Sequence, residues 1–265
     1  MHFKSKYTSS PSRIASLDIE TVSPSLQKGF PPWPTHLPKV ASILTADQAA
    51  YGEWQFTIES ITFEDERAAI VRIDELLAGR KCLTFNGKGF DLPVLAMLAM
   101  RASAFECQNL TEAWSSQRFG GSHLDVADLI SNFGSAPKAS LEMLCDAAGV
   151  PVKNTGHGGD VEHMLEIQCI EAVKRYCEED VTSTLALFAL VQGLRSNDPA
   201  YASSMLGDLV NWISDTGLVH LDDFRKILGN PVRERNRLLQ RVAEGIRDLE
   251  ERATMAFFEE KPLGF

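Results

Sequence analysis

The stretch Phe85-Asn86-Gly87-Lys88-Gly89-Phe90-Asp91-Leu92-Pro93-Val94-Leu95 decides how the rest of the chain is read. It is entered from Lys81-Cys82-Leu83-Thr84, a short apolar run of strand character, and leads into an Ala/Leu/Met-rich run of helical character, residues 92–101. Asn86-Gly87 and Gly89 are turn chemistry, and Pro93 fits the first turn of a helix, where its missing N–H is no loss. The chain therefore leaves a strand, bends tightly and enters a helix. Asp91 sits just ahead of that helix, near the edge of a sheet, where a carboxylate can face a ligand. Read alone, an aspartate there is an N-cap, taken up by free backbone donors. Two further acidic motifs alter that reading.

Upstream, Arg13-Ile14-Ala15-Ser16-Leu17-Asp18-Ile19-Glu20-Thr21 reads as a first strand. Residues two apart in a strand share a face, so Asp18 and Glu20 point the same way. The proline-rich stretch 30–38 makes a rigid loop that can border the site. Residues 40–45 and 55–63 read as two more strands about a turn at Tyr51-Gly52, so an antiparallel meander precedes any helix. Ala69, Ile70, Ile73, Leu76 and Leu77 fall at helical spacing, with Gly79 as a C-terminal cap.

Downstream come a strand-to-helix segment at 123–130, a short helix at 141–148 stopped by Gly149, a flexible loop at 154–159 and a long helix at 170–192. Residues 193–199 break the pattern. The expected division is 12–195 for the motif-bearing domain and 196–265 for a helical C-terminal extension of unassigned role. Within the latter, Asn230-Pro231 marks a helix start, and Leu238, Val242, Ile246 and Leu249 form one apolar stripe suited to packing on a protein partner or a second copy.

The third acidic motif is Tyr176-Cys177-Glu178-Glu179-Asp180, inside the long helix. Tyr176 and Asp180 are four apart and share a helix face. Asp18, Glu20, Asp91 and Asp180 thus come from three separated elements. Gathering four carboxylates in one place is unfavourable, because like charges repel and raise one another's pKa. Two Mg²⁺ or Mn²⁺ ions, about 3.5–4 Å apart and bound by oxygen ligands, would offset that repulsion and suit in-line attack of water on phosphorus. The phenol of Tyr176 could then orient the water.

These three motifs resemble those of the DEDDy exonuclease superfamily. The similarity is greatest to stand-alone 3′-5′ exonucleases like the proofreading domain of family B DNA polymerases, and it covers about residues 12–192. The resemblance implies a ribonuclease H-like α/β fold: a mixed five-stranded sheet with a meander, flanked by helices. It implies metal-binding roles for Asp18, Glu20, Asp91 and Asp180, and a water-positioning role for Tyr176. Thr21, Asn86 and Phe90 flank the motifs and would shape the substrate 3′ end. His123-Leu124-Asp125, with Lys153 and Gly156, resembles supporting segments. The implied activity is metal-dependent 3′-5′ hydrolysis of nucleic acid at a single-stranded 3′ end, DNA favoured over RNA.

Bulk composition limits the alternatives. With 265 residues and 44% hydrophobic content the chain can bury a real core. Five cysteines without a Cys-x-x-Cys pair point away from a zinc site or disulfide framework, and toward buried free thiols in a reducing cytoplasm. No apolar run reaches the roughly 20 residues that span a bilayer. The net charge of −10 argues mildly against a bulk nucleic-acid binder, so any grip must be local. Lys28, Lys88, Lys138 and Lys153 are candidate phosphate contacts, and Phe90 and Trp33 candidate stacking rings. Gly156-His157-Gly158-Gly159 lacks the spacing of a dinucleotide loop. The competing reading is a catalytically idle nucleic-acid-binding or scaffold module acting through its helical tail.

Overall fold

The computed structural model describes residues 10–23, 31–50, 52–118, 121–151, 169–229, 245–249 and 252. Its axis is β1 (Arg13–Val22). Ile14 belongs to one hydrophobic cluster, while Ala15, Leu17 and Ile19 belong to another. Both faces of β1 are therefore covered, as expected of a central strand. It pairs antiparallel with β2 (Leu37–Gln48), which pairs antiparallel with β3 (Trp54–Thr62). On its other side β1 pairs in parallel with β4 (Lys81–Thr84), and β4 in parallel with β5 (His123–Asp125). The sheet order β3-β2-β1-β4-β5 is the mixed five-stranded, ribonuclease H-like arrangement that the resemblance implies.

Helices α1 (Glu66–Leu77), α2 (Asp91–Arg101) and α3 (Gln108–Trp114) cover one face of the sheet. Their core residues Ile70, Ile73, Leu92, Leu95 and Leu110 join Leu17 and Ile43. Two short helices follow, α4 (Val126–Ile130) and α5 (Leu141–Ala148), the latter closed by Gly149 in the left-handed region at φ 66°. The other face is crossed by α6 (Ile170–Ser196), whose Val181, Leu185 and Phe188 pack with Ile14, Leu44 and Leu83. The Ser16 hydroxyl donates to the Val181 carbonyl at 2.9 Å and fixes the crossing point of β1 and α6.

Several details differ from expectation. α6 runs through Gly193 and stops at Asn197, which is left-handed at φ 53°. A glycine occupies this helical position because an adjacent helix needs the space: a Cβ there would lie 2.9 Å from the Ala202 Cβ. α3 was not anticipated, since a seven-residue helix carries too little periodicity to register. The proline stretch holds a 3-10 turn at Trp33–Thr35, and β2 begins as early as Leu37. Cys169 is exposed, whereas Cys82, Cys107, Cys145 and Cys177 are buried free thiols. The 154–159 loop, Lys28, Lys153 and the expected helix start at Asn230-Pro231 lie outside the described residues. No helix among the described residues is long and apolar enough to cross a membrane.

Beyond Asn197, α7 (Pro199–Thr216) packs against α6 and β3, and α8 (Asp222–Leu228) packs against α7. Trp54 meets Tyr201 edge to face at 5.5 Å, and Phe56 meets Trp212 at 5.8 Å. Asp208 accepts from the Trp54 N–H at 3.0 Å, and the Tyr201 hydroxyl donates to the Pro11 carbonyl at 2.8 Å. Truncation after Ser196 is expected to yield a chain without a cooperative thermal transition, because it uncovers Trp54 and Phe56. Tyr201→Ala in the full chain should cost roughly 3 kcal/mol. Unchanged denaturation curves for both would show that α7 is dispensable to the core.

Candidate active site

The carboxylates gather at the end of β1, and the sheet explains why. The last pair between β1 and β4 is Ser16↔Leu83, so β1 runs on for six residues with no strand on that side. The edge is filled by the turn after β4 and the start of α2. There the Asp91 Oδ1 accepts from the Ile19 N–H at 3.2 Å, doing what a neighbouring strand would have done. Asp91, expected just ahead of the helix, is instead its first residue, and Phe90 holds the cap position.

Ser16, Asp18 and Glu20 share the face that meets α6. Because Ser16 is pinned to Val181, Asp18 lies beside the turn before it, Cys177 to Asp180. The Cys177 thiol donates to the Asp18 carboxylate and carbonyl, both at 3.4 Å. Ligand atoms of Asp18, Glu20 and Cys177 lie within 4.8 Å of one another. A cleft of about 530 Å³ opens here, lined by Asp18, Glu20, Asp91, Asp180, Asn86 and Phe90 together with Pro31, Pro32 and Trp33. The proline stretch thus borders the site, as anticipated.

Electrostatics register the crowding. Burial first, then the charges of Asp91, Asp180 and Glu20, push the Asp18 carboxyl well above the ordinary carboxylate range. Burial pushes Asp91 up to about 7, against the pull of backbone N–H groups and with added repulsion from Asp125 and Asp180. Burial, reinforced by Asp18 and Glu20, raises the Cys177 thiol, which keeps its proton for donation. Among the described residues, the hydrogen bonds made to Asp18 and Asp91 come from the protein's thiol and backbone, not from an arginine or lysine. Such an acidic, oxygen-rich pocket fits a hard divalent cation.

The flanking residues are set by the same loop. Asn86 takes φ 61°, a left-handed conformation that asparagine tolerates. Gly87 is obligatory, since a Cβ would fall 2.5 Å from the Thr84 side chain. The Asp125 carboxylate accepts from the N–H groups of Asn86 at 2.9 Å, Lys88 at 3.1 Å and Ala127 at 3.1 Å, clamping the loop while capping α4. Thr84 hydrogen-bonds His123 at 2.8 Å, and burial followed by the Lys88 charge lowers that imidazole to about 4, leaving it neutral.

Across the cleft, the pairing of β1 and β2 slips between Glu20 and Thr21, skipping Lys39. Such a bulge bends the strand and re-aims its side chains. The Thr21 hydroxyl meets His36 Nδ1 at 2.7 Å, and the His36 ring packs edge to face on Phe90 at 4.8 Å. Tyr176 is 2% exposed and packs with Val40 and Val173, behind the cleft rather than among its lining side chains. Asp125, His36 and Cys177 were not singled out as principal site residues from the sequence. Only Asp125 left a signal there, as part of the supporting His123-Leu124-Asp125 segment.

The family model described as "Predicted 3'-5' exonuclease related to the exonuclease domain of PolB" matches residues 31–228. No curated protein sequence matches the chain. Among solved structures, "ExoI/SSB-Ct complex" aligns with a TM-score of 0.46 at 16% identity, covering 77% of this chain and 46% of that one. E. coli Exonuclease I in complex with a dT13 oligonucleotide gives 0.44 at 17%, with 76% and 46% covered. The family B DNA polymerase from the archaeon Pyrobaculum calidifontis gives 0.47 at 18%, with 77% and 28% covered. The chain spans less than half the length of each.

Two outcomes are expected from this geometry. In the folded chain Asp91 holds its proton up to about pH 7, whereas an unfolded aspartate titrates near about 3.9. Its contribution to stability is therefore full below about pH 4 and lost as pH rises through about 7. The midpoint of thermal unfolding in EDTA should fall over that window, and Asp91→Asn should flatten the slope; equal slopes would refute the assignment. Separately, Asp125→Ala should destabilise by about 2–3 kcal/mol, since it strands four backbone donors, those of Asn86, Lys88, Ala127 and Asp128, as read by urea denaturation.

Proposed function

Because this chain belongs to the family of 3′-5′ exonucleases related to the exonuclease domain of family B DNA polymerases, we propose that it hydrolyses the terminal phosphodiester at a single-stranded 3′ end. DNA is the favoured substrate, since the family is described as related to the exonuclease domain of a DNA polymerase. The observation that carries the reading is the meeting of Asp18, Glu20, Asp91 and Asp180 on one cleft, in a family whose members are named for this reaction.

These four carboxylates would hold two divalent cations, Mg²⁺ or Mn²⁺. Bound there, the cations would offset the acids' mutual repulsion and supply Lewis acidity at the phosphoryl oxygens. The chain's own contribution is to position. Asp91 is anchored by the Ile19 N–H and Asp18 by the Cys177 thiol, so neither needs to reorganise. Phe90, held edge-on by His36, presents its ring as a stacking surface for the last base. Asn86 lines the cleft where the 3′-terminal sugar would sit, while Thr21, outside that lining, acts on Phe90 through His36. Tyr176, one helical turn before Asp180, is packed with Val40 and Val173 behind the cleft, so orienting the attacking water would require its phenol to swing into the cleft. The water oxygen bonds to phosphorus as the bond from phosphorus to the departing strand's O3′ breaks, releasing a mononucleotide.

The test uses 5′-labelled single-stranded DNA with Mg²⁺ or Mn²⁺, alongside calorimetric titration of Mn²⁺ without substrate. The wild type is expected to shorten the DNA stepwise from its 3′ end. Asp91→Ala is expected to lose at least about 10²-fold in rate, as for loss of a group acting mainly in the transition state, and to weaken Mn²⁺ binding. A wild type no faster than Asp91→Ala, or Asp180→Asn with full function, would favour the idle scaffold.

A further inference from the structure

A second cavity, of about 540 Å³, adjoins the cleft and shares Phe85, Asn86 and Gly89 with it. Its size is that of an ordinary small-ligand site. Phe85, Ile130 and Leu144 give it an apolar floor, and Lys88, Lys138 and Arg118 stand on its rim. Arg118 is committed to Asp128 through two contacts, at 2.8 and 2.6 Å. The lysines are not so committed. Lys88 donates to the Ser116 carbonyl and Lys138 to the Asn86 Oδ1 at 3.3 Å, and among the described residues neither forms a salt bridge. In a chain of net charge −10, two lysines whose hydrogen bonds go to neutral oxygens beside an apolar floor are a local concentration of cations, tempered by Asp128, which lines the same cavity and is drawn on by both Arg118 and Lys88.

The Asp125 carboxylate also lines this cavity, but it is saturated by backbone N–H groups, so it opposes an entering anion less than its charge suggests. Asn86 forms the ridge between the two chambers. It is held in the left-handed conformation with its side chain toward Lys138, on the second chamber's side. A strand whose last nucleotide occupied the first chamber would pass over this ridge.

We propose that the cavity bounded by Lys88, Lys138 and the Phe85–Ile130–Leu144 floor is the subsite for the nucleotides next upstream of the scissile phosphate. The base rests on the apolar floor, and Lys138 contacts a backbone phosphate. The inference deepens the exonuclease reading and rests on it. A single strand is the fitting occupant, because unstacked bases and a phosphate together match an apolar floor with a cationic rim.

The experiment measures binding and hydrolysis of oligodeoxynucleotides of two to twelve residues by wild type and Lys138→Ala. For the wild type, affinity is expected to rise with each of the first few nucleotides. Lys138→Ala should remove one such step, roughly tenfold, as for loss of a charge-assisted hydrogen bond. It should also reduce the slope of log affinity against log salt by about 0.7, one phosphate contact on a single strand. Photo-crosslinking of wild type with a 4-thiothymidine one position from the 3′ end should label residues within 127–144. A wild type that hydrolyses DNA while Lys138→Ala keeps the same length and salt dependence, or crosslinks mapping elsewhere, overturns the subsite alone. A wild type that neither binds nor cleaves any oligonucleotide overturns the exonuclease reading, and the subsite with it.

Discussion

The structure depends on a repulsion. Asp18, Glu20, Asp91 and Asp180 are brought to one end of the sheet, and each raises the burden on the others; Asp18 is pushed up by all three neighbours as well as by burial. Such a cluster must be held by something stronger than its own electrostatics. What holds it is the frame: β1 is covered on both faces, and α6 is tied to it by the Ser16 hydroxyl. Two buried hydrophobic clusters of this extent can outweigh several kcal/mol of charge crowding. The carboxylates can therefore stay where solvent and a ligand reach them.

The short β4 makes room for this. Had β4 followed β1 to its end, the Ile19 N–H would have bonded to a strand, and no carboxylate could have entered from that side. Instead the chain turns at Asn86-Gly87, and Asp91 takes the vacant donor. The turn itself is secured from β5 by Asp125 and from β4 by Thr84. One aspartate thus sets the position of the loop whose own aspartate enters the site. Ligand clefts in α/β sheets commonly form at the carboxyl ends of parallel strands for this kind of reason, since those ends are where loops can converge.

What could be read in advance follows from the range of each signal. The β1 alternation, the α1 stripe and the Gly149 stop act over a few residues, so spacing revealed them. The motif acids were legible as a pattern, because their residue types and order resemble a family. Asp125 was noticed only as part of a supporting segment, since its role depends on hydrogen bonds spanning 37 and 39 residues. His36 and Cys177 carried no local mark; their contacts with Phe90 and Asp18 exist only once β2 and α6 are in place. The reach of α6 through Gly193 was hidden for a related reason. A glycine that reads as a breaker is retained there for close packing against Ala202.

The same logic bears on the chain beyond Asn197. A line of polar contacts runs from the site across the meander to that segment. The Cys177 thiol that meets Asp18 also meets Ser42. Ser42 bonds Ser60 across the strands at 2.7 Å, Ser60 donates to Glu178 at 2.7 Å, and His220 Nε2 lies 2.7 Å from the other Glu178 oxygen. Burial alone would raise Glu178, but His220 and Ser60 hold it below its ordinary value. An ionised, half-buried glutamate two residues before Asp180 would be a poor neighbour for an acidic cluster if it faced the cleft. Drawn away by Ser60 and His220, it faces the meander instead, and α6 can present Asp180 to one side while keeping Glu178 on the other. The segment around His220 thus packs against α6 and, through Glu178 and Ser60, ties that helix to β3, keeping the charge of Glu178 on the side away from Asp18.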